Sequence, residues 1–237
     1  MAQDEGSAMA QYAWGKGWRS ASLATDGVIV YFKNVVQAFK ARWLQLGGKV
    51  VDQETYHSLG GNDVQNAISR LNAKKADVYV TSTSFGELPG FVSGLRTLGN
   101  NTPILNSWAG DGTYWLPKSP AVSNYYFVTY ASIFGDDPNP AINKLAKQVH
   151  AGTGGFIAGS AAIDGLVVAI NRSHGSTNGA TLAATMEKFK KVPTLSGLVS
   201  FSAKFHTVFG RQYRVIKITN NKAHLVGTVV AKVVPKI

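Results

Sequence analysis

Five short segments rich in apolar, β-branched and aromatic residues begin at positions 20, 49, 77, 103 and 125, and helix-like stretches or a loop separate them. Strands at such intervals leave room for a crossover helix between neighbours, which is the requirement of a parallel sheet and not of hairpins. The clearest unit runs from Val28 to Glu54. Val28, Phe32, Val35, Val36, Phe39, Trp43 and Leu46 recur at helical spacing, Gly47 and Gly48 stop the helix, and Lys49 to Glu54 continues as a strand. A second cycle follows, with Asn62 and Asp63 as helix caps, Val64, Ala67, Ile68 and Leu71 as its apolar stripe, and Asp77 to Ser82 as strand. In a third, residues 88–98 read as helix, Gly99 and Asn100 end it, and residues 103–108 (PILNSW) read as strand. Residues 125–130 (YYFVTY) form the fifth strand, reached through a loop.

The pattern changes after Phe134. GDDPNP reads as a linker into a helix with Pro140 in its first turn, followed by helices over residues 157–171 and 182–189. Three short strands are expected near residues 197–202, 213–219 and 224–230, with Asn220 and Asn221 as a hairpin turn. The three later helices have no evident sheet of their own to pack on.

Parallel sheets bind ligands beyond the carboxyl ends of their strands. Here those ends carry Thr25 and Asp26, Tyr56 and His57, Thr83, Ser84 and Phe85, Asn106, Ser107 and Trp108, and Tyr130. Hydroxyls and an amide among large aromatics suit a small ligand with one polar end and one apolar flank, although each of these residues is equally at home in an ordinary strand-end turn.

Catalytic and metal signatures are weak. GTGGFIAG at 152–159 lacks the Lys-Ser/Thr of a phosphate loop and joins helix to helix. The five histidines never fall at metal-ligand spacing, and no Gly-x-Ser-x-Gly elbow occurs. Asp111 with Glu87 is a conceivable acid/base pair, but a carboxylate at a strand end more often caps a helix or binds an amine. The absence of cysteine excludes disulfides, thiolate zinc sites and cysteine nucleophiles. A net charge of +11 is spread along the chain, with a mild cluster at Lys188, Lys190 and Lys191, and accompanies no nucleic-acid-binding motif. The opening MAQDEGSAMAQ lacks the basic-then-apolar layout of a secretory signal, and no apolar run reaches the roughly 20 residues of a membrane span. Neither a cofactor, a nucleic acid nor membrane insertion is expected.

The segments DGVIVYFKNVVQAFKARWLQLGGKVV, NDVQNAISRLNAKKADVYVTSTSFGELPGFVSGLRTLG and NTPILNSWAGDG together resemble the periplasmic type I solute-binding proteins of the branched-chain amino acid uptake family. The shared order is a strand ending in Asp, a long helix, a Gly-Gly turn into a strand, an Asp-led helix, and a helix ending Leu-Gly before the next strand; the likeness covers about residues 3 to 227. The resemblance implies an α/β fold: an open parallel flavodoxin-like sheet with helices on both faces, forming the second lobe of such a protein, plus helices and a C-terminal hairpin belonging to the other lobe. The opening MAQDEGSAMAQYAWGKG resembles the crossing into that second lobe. The implied organisation is a parallel lobe over residues 1–134, a helical segment over 135–195 returning to an incomplete first lobe, and a C-terminal β segment over 196–237.

By position, the resemblance implies ligand contacts near Val30 or Tyr31, at Ser84 and Phe85, and at Trp108; Asp26 and Ser107 join them as candidate ligand-binding residues from the strand ends. Trp108 stands where amino-acid binders carry a carboxylate for the ligand's ammonium, which favours an aromatic, amide or carboxylate-bearing ligand over an α-amino acid. The implied role is non-enzymatic capture of a small molecule, periplasmic or otherwise extracytoplasmic, for the permease of an ABC importer. With most of the first lobe lacking, weak or no binding by this chain alone is expected, as is a homodimer through the helices that have lost their sheet. A sensor or receptor domain of the same fold, a small α/β enzyme using Asp26 or Asp111, and a basic nucleic-acid binder remain as alternatives.

Overall fold

The computed structural model describes residues 2–57, 63–84, 86–204, 206–208 and 210–237. Its core repeats the strand-helix cycle: β1 (Ser20–Asp26), α2 (Val30–Gln45), β2 (Lys49–Tyr56), α3 (Asp63–Asn72), β3 (Val78–Ser82), α4 (Leu88–Thr97), β4 (Ile104–Asn106) and β5 (Tyr125–Thr129), preceded by a helix α1 (Ala2–Gly15). β1 pairs parallel with both β2 and β3, β3 with β4, and β4 with β5. The resulting order, β2-β1-β3-β4-β5, puts the reversal of winding between β1 and β3.

Helices cover both faces, as the periodicity requires. On one, α1 and α2 bury Met9, Ala13, Val35, Phe39 and Trp43 against Leu23, Val80 and Val128. On the other, α3 and α4 bury Ile68, Leu71, Phe91 and Leu95 against Tyr79, Ile104 and Phe127. Each such side chain contributes about 1.5–3 kcal/mol on leaving water. The double glycine after α2 divides two tasks. Gly47 takes the left-handed conformation at φ +89°, while a Cβ on Gly48 would lie 2.2 Å from the Trp43 ring. The residue at 48 must be small because the ring packs over the turn, where its indole N–H donates to the Lys49 carbonyl at 3.1 Å.

Three expectations need correction. The C-terminal hairpin does not belong to another lobe. β8 (Tyr213–Thr219) pairs antiparallel with β5, and β9 (Lys222–Val229) with β8, so that seven strands form one sheet among the described residues. The reason is burial on two faces: Tyr213 and Val215 enter the core under α1 and α2, while Ile216 and Ile218 enter the opposite one. Odd and even positions of β8 thus face opposite ways, as strand alternation requires, and the register shift between Val215 and Ile216 leaves Val226 of β9 as an extra residue. Next, the 197–202 segment is strand only over β7 (Gly197–Val199), which pairs with β6 (Val192–Thr194) in a separate ribbon. Finally, GDDPNP is no loose linker. Asp137 accepts from the Ser132 and Asn139 N–H groups at 2.8 and 2.9 Å, and receives the buried Arg214 guanidinium at 2.9 and 3.0 Å, pinning the loop to β8.

The remaining helices, α5 (Pro140–Gln148), α6 (Phe156–Arg172) and α7 (Gly179–Met186), make only small clusters, Ala131 with Ile142 and Ile157, and Ala169 with Phe189 and Val192. α6 leaves Ile163, Leu166 and Val167 exposed, and no α7 residue is buried. No described helix is long and apolar enough to cross a membrane.

Candidate functional site

At the carboxyl ends of β1, β3 and β4 lies a cavity of about 380 Å³, walled among others by Ile29, Tyr31, Ser84, Trp108, Asp111 and Tyr114. It sits beside the reversal of winding, where neighbouring loops diverge and leave a crevice.

The expected residues separate into two tiers. Tyr31, Ser84 and Trp108 line the cavity. Asp26 and Ser107 lie beneath it, fully buried, and shape the loops. Asp26 accepts from the Val28 N–H at 3.1 Å and from the Thr83 hydroxyl at 2.9 Å, joining the β1 and β3 tips across the switch point. The Ser107 hydroxyl bonds that of Ser82 at 2.8 Å and accepts the Ala109 N–H at 3.2 Å. Residues 107 and 108 are thus not strand: Ser107 caps a one-turn 3-10 helix, Trp108–Gly110, which lifts the indole onto the cavity rim.

Val30, 69% exposed on the first turn of α2, does not line the cavity; its neighbour Ile29 does. Phe85 lies outside the described residues, as does Asn62, expected to cap α3. Among the other strand-end candidates, Thr25 and Thr83 are buried, and Asn106 accepts the Thr83 N–H at 3.2 Å and donates to the Tyr125 hydroxyl at 2.9 Å. Tyr56 is buried with its ring stacked on Phe91, and His57 stands exposed 3.7 Å from Asp63. Tyr130 stands 5.3 Å, centroid to centroid, from Trp108 and supports it from below.

The far wall comes from the start of α6. A Cβ on Gly155 would be 2.8 Å from the Trp108 ring, and one on Gly154 would be 2.0 Å from the Ala131 carbonyl. Gly154 and Gly155 therefore serve close packing against the β5 end and Trp108. Asp111 ties this wall down, its Oδ2 accepting the Thr129 hydroxyl at 2.7 Å and the Gly155 N–H at 3.2 Å. Burial pushes its carboxyl up to about 6, against the opposing pull of Thr129 and the N–H groups of Gly112, Gly154 and Gly155.

Sequence reasoning overlooked Glu5, although its acidic position in the first turn of a helix was visible. It is 1% exposed, its Oε1 accepts the Trp108 backbone N–H at 2.5 Å, and its Oε2 accepts the Tyr31 hydroxyl at 2.8 Å. Ile29, Tyr114 and Thr153 were overlooked as well, because loop residues carry no periodic signal. Among the described residues no three His, Cys, Asp or Glu converge as a metal site. The cavity offers aromatic surface, hydroxyls and one buried carboxylate, which suits holding a small, largely apolar molecule.

Comparison with known proteins agrees with this fold. No curated protein sequence matches significantly. Among solved structures, the leucine-binding protein LivK of Thermotoga maritima superposes with a TM-score of 0.81 at 19% identity, over 95% of this chain and 65% of that one. LivJ of Streptococcus pneumoniae, a branched-chain amino acid transporter substrate-binding protein solved with isoleucine, gives 0.77 at 21% identity, over 97% and 65%. A solute-binding protein of an ABC transporter from Rhodopseudomonas palustris, solved with 3,4-dihydroxybenzoic acid, gives 0.75 at 15%, over 99% and 66%. The chain spans about two-thirds of the length of each of these proteins. The family model described as periplasmic binding protein matches residues 2–223, nearly the whole sheet and its helices, and the chain belongs to that family.

Proposed function

We propose that this chain supplies one jaw of an extracytoplasmic solute-binding protein, and that the strand-tip cavity grips a flat, carboxylate-bearing aromatic molecule destined for an ABC importer. The observation that carries this reading is the make-up of the wall. Tyr31, Trp108 and Tyr114 give it aromatic surface, and Ser84 gives it a hydroxyl. Its one acidic lining residue, Asp111, has one oxygen, Oδ2, engaged with Thr129 and Gly155. By the family resemblance, Trp108 stands where an α-amino acid binder would set a carboxylate for the ammonium group. A ligand carboxylate would meet N–H groups instead: the N-cap of α2 is Ile29, whose apolar side chain makes no capping bond. Similar proteins solved with 3,4-dihydroxybenzoic acid and with benzoate support the aromatic-acid class, whereas the leucine- and isoleucine-binding ones represent the competing class.

The test is a tryptophan-fluorescence and calorimetric titration of the protein carrying this chain with benzoate, 4-hydroxybenzoate, leucine and isoleucine. The benzoates should bind, and Trp108→Ala should weaken them at least about tenfold, equivalent to about 1.4 kcal/mol. Binding of leucine or isoleucine with silent benzoates would overturn the ligand class; silence across the panel would count against solute capture.

A further inference from the structure

The two aromatic walls of the cavity come from distant parts of the chain, Tyr31 on α2 and Trp108 after β4, with their rings 6.5 Å apart and edge-on. One buried side chain joins them. Glu5 reaches from the first turn of α1 and takes the Trp108 N–H on one oxygen and the Tyr31 hydroxyl on the other. Burying a carboxylate is costly, and the cost is offset only by such charge-assisted bonds. Among the described residues both bonds of this carboxylate go to cavity walls. Its placement is itself rigid, because the adjacent Gly6 packs directly on the α2 backbone at Val35 and Phe39.

We propose that Glu5 is the positioning residue of the ligand site: its carboxylate sets Tyr31 and Trp108 in register with each other, and without it both walls loosen while the sheet beneath stays folded. The proposal deepens the reading of the cavity as a binding site but does not depend on which ligand occupies it.

A consequence concerns pH. Burial pushes the Glu5 carboxyl up to about 7, opposed by its bonds from Trp108 and Tyr31. Among the described residues, the charged and titratable groups around it are Asp4, Tyr31 on α2, Tyr130 after β5 and Tyr213 on β8. Ionised, Glu5 accepts from both walls. Protonated by solvent, it keeps the Trp108 N–H on its carbonyl oxygen and donates its own proton to the Tyr31 oxygen, so the Tyr31 proton turns to another acceptor such as Ser107. The Tyr31 bond therefore reverses direction near neutrality.

The test needs no ligand. With 15N-labelled tryptophan, the Trp108 backbone amide is assigned by its loss in Trp108→Phe, and its shift and hydrogen exchange are followed from pH 5 to 9. In the native sequence the shift should include a step centred near 7. Asp111, whose N–H bonds the Trp108 carbonyl at 3.0 Å, adds a separate step near 6. In Glu5→Gln the amide should stay protected, since the carboxamide can still accept from Trp108 and donate to Tyr31, but the upper step should vanish. In Glu5→Ala exchange at Trp108 should quicken at least about tenfold, with the Trp43 amide in α2 unchanged as the reference for an intact sheet. An upper step that survives in Glu5→Gln overturns the proposal, as does a Trp108 amide equally protected in Glu5→Ala. Should Glu5→Ala fail to fold, seen as loss of Trp43 protection, the Glu5→Gln titration decides alone. A failed ligand panel beside a positive result here would sink the solute reading and leave the role of Glu5 standing.

Discussion

Adding one methyl group at Gly6 is the sharpest way to ask whether α1 is truly seated on α2. An ideal Cβ there would lie 2.2 Å from the Val35 carbonyl oxygen, 2.8 Å from the Phe39 nitrogen and 2.9 Å from the Ala38 Cβ. Two of the three obstacles are backbone, so no rotamer change relieves them and α1 must move as a body. Overpacking of this kind costs about 1–3 kcal/mol, with a rigid backbone obstacle favouring the upper end. Helix propensity acts the other way, since alanine is better than glycine in a helix by about 1 kcal/mol. The net expectation is a loss of about 2 kcal/mol, which at a urea m-value of about 3 kcal/mol/M lowers the midpoint by about 0.7 M. Gly159 is the control. It is exposed on α6 with nothing within 4 Å of its would-be Cβ, so Gly159→Ala should raise the midpoint by propensity alone. Measuring both variants by far-ultraviolet circular dichroism in urea sets one helix against the other. If Gly6→Ala proved as stabilising as Gly159→Ala, the close seating of α1, and with it the fixed placement of Glu5, would be wrong.

Two other outcomes follow from the structure. Asp111 titrates near 6 in the fold against 3.8 for an ordinary aspartate, so the folded state binds the proton more tightly; the stability linked to it is full below about pH 4 and is lost as pH rises through about 6. Denaturation midpoints at pH 4.5 and 7.5 should therefore fall less in Asp111→Asn than in the native sequence, and an equal fall would refute this assignment. The exposed Ile163, Leu166 and Val167 of α6 are expected to drive self-association. Light scattering at about 100 μM should give a mass above the monomer's, restored to monomer by Ile163→Lys with Val167→Lys, whereas a monomeric native protein at that concentration excludes it.

What the sequence determined by itself is the succession of β1 to β5 and the helices between them, because alternating burial writes its period of 3.6 or 2 into neighbouring residues. Gly47 and Gly99 were legible for a local reason too: both take positive φ, at 89° and 74°, a conformation that only glycine adopts cheaply. From parallel connection alone the crevice could be assigned to the strand tips, and Tyr31, Ser84 and Trp108 do meet there. Only the tertiary structure decided which residues form the wall and which form its foundation. Asp26 and Trp108 both stand at strand ends, yet one is buried and bonded to Thr83 and the other rides on a turn capped by Ser107. The same holds for the hairpin. Its apolar residues announce strands but not which edge they will cover, since pairing joins Tyr125 to Ile218 across more of the chain than any local period spans. Glu5 is the extreme case: a first-turn glutamate ordinarily faces water and favours the helix dipole, and nothing near it in the chain says that Trp108 will be brought onto its carboxylate.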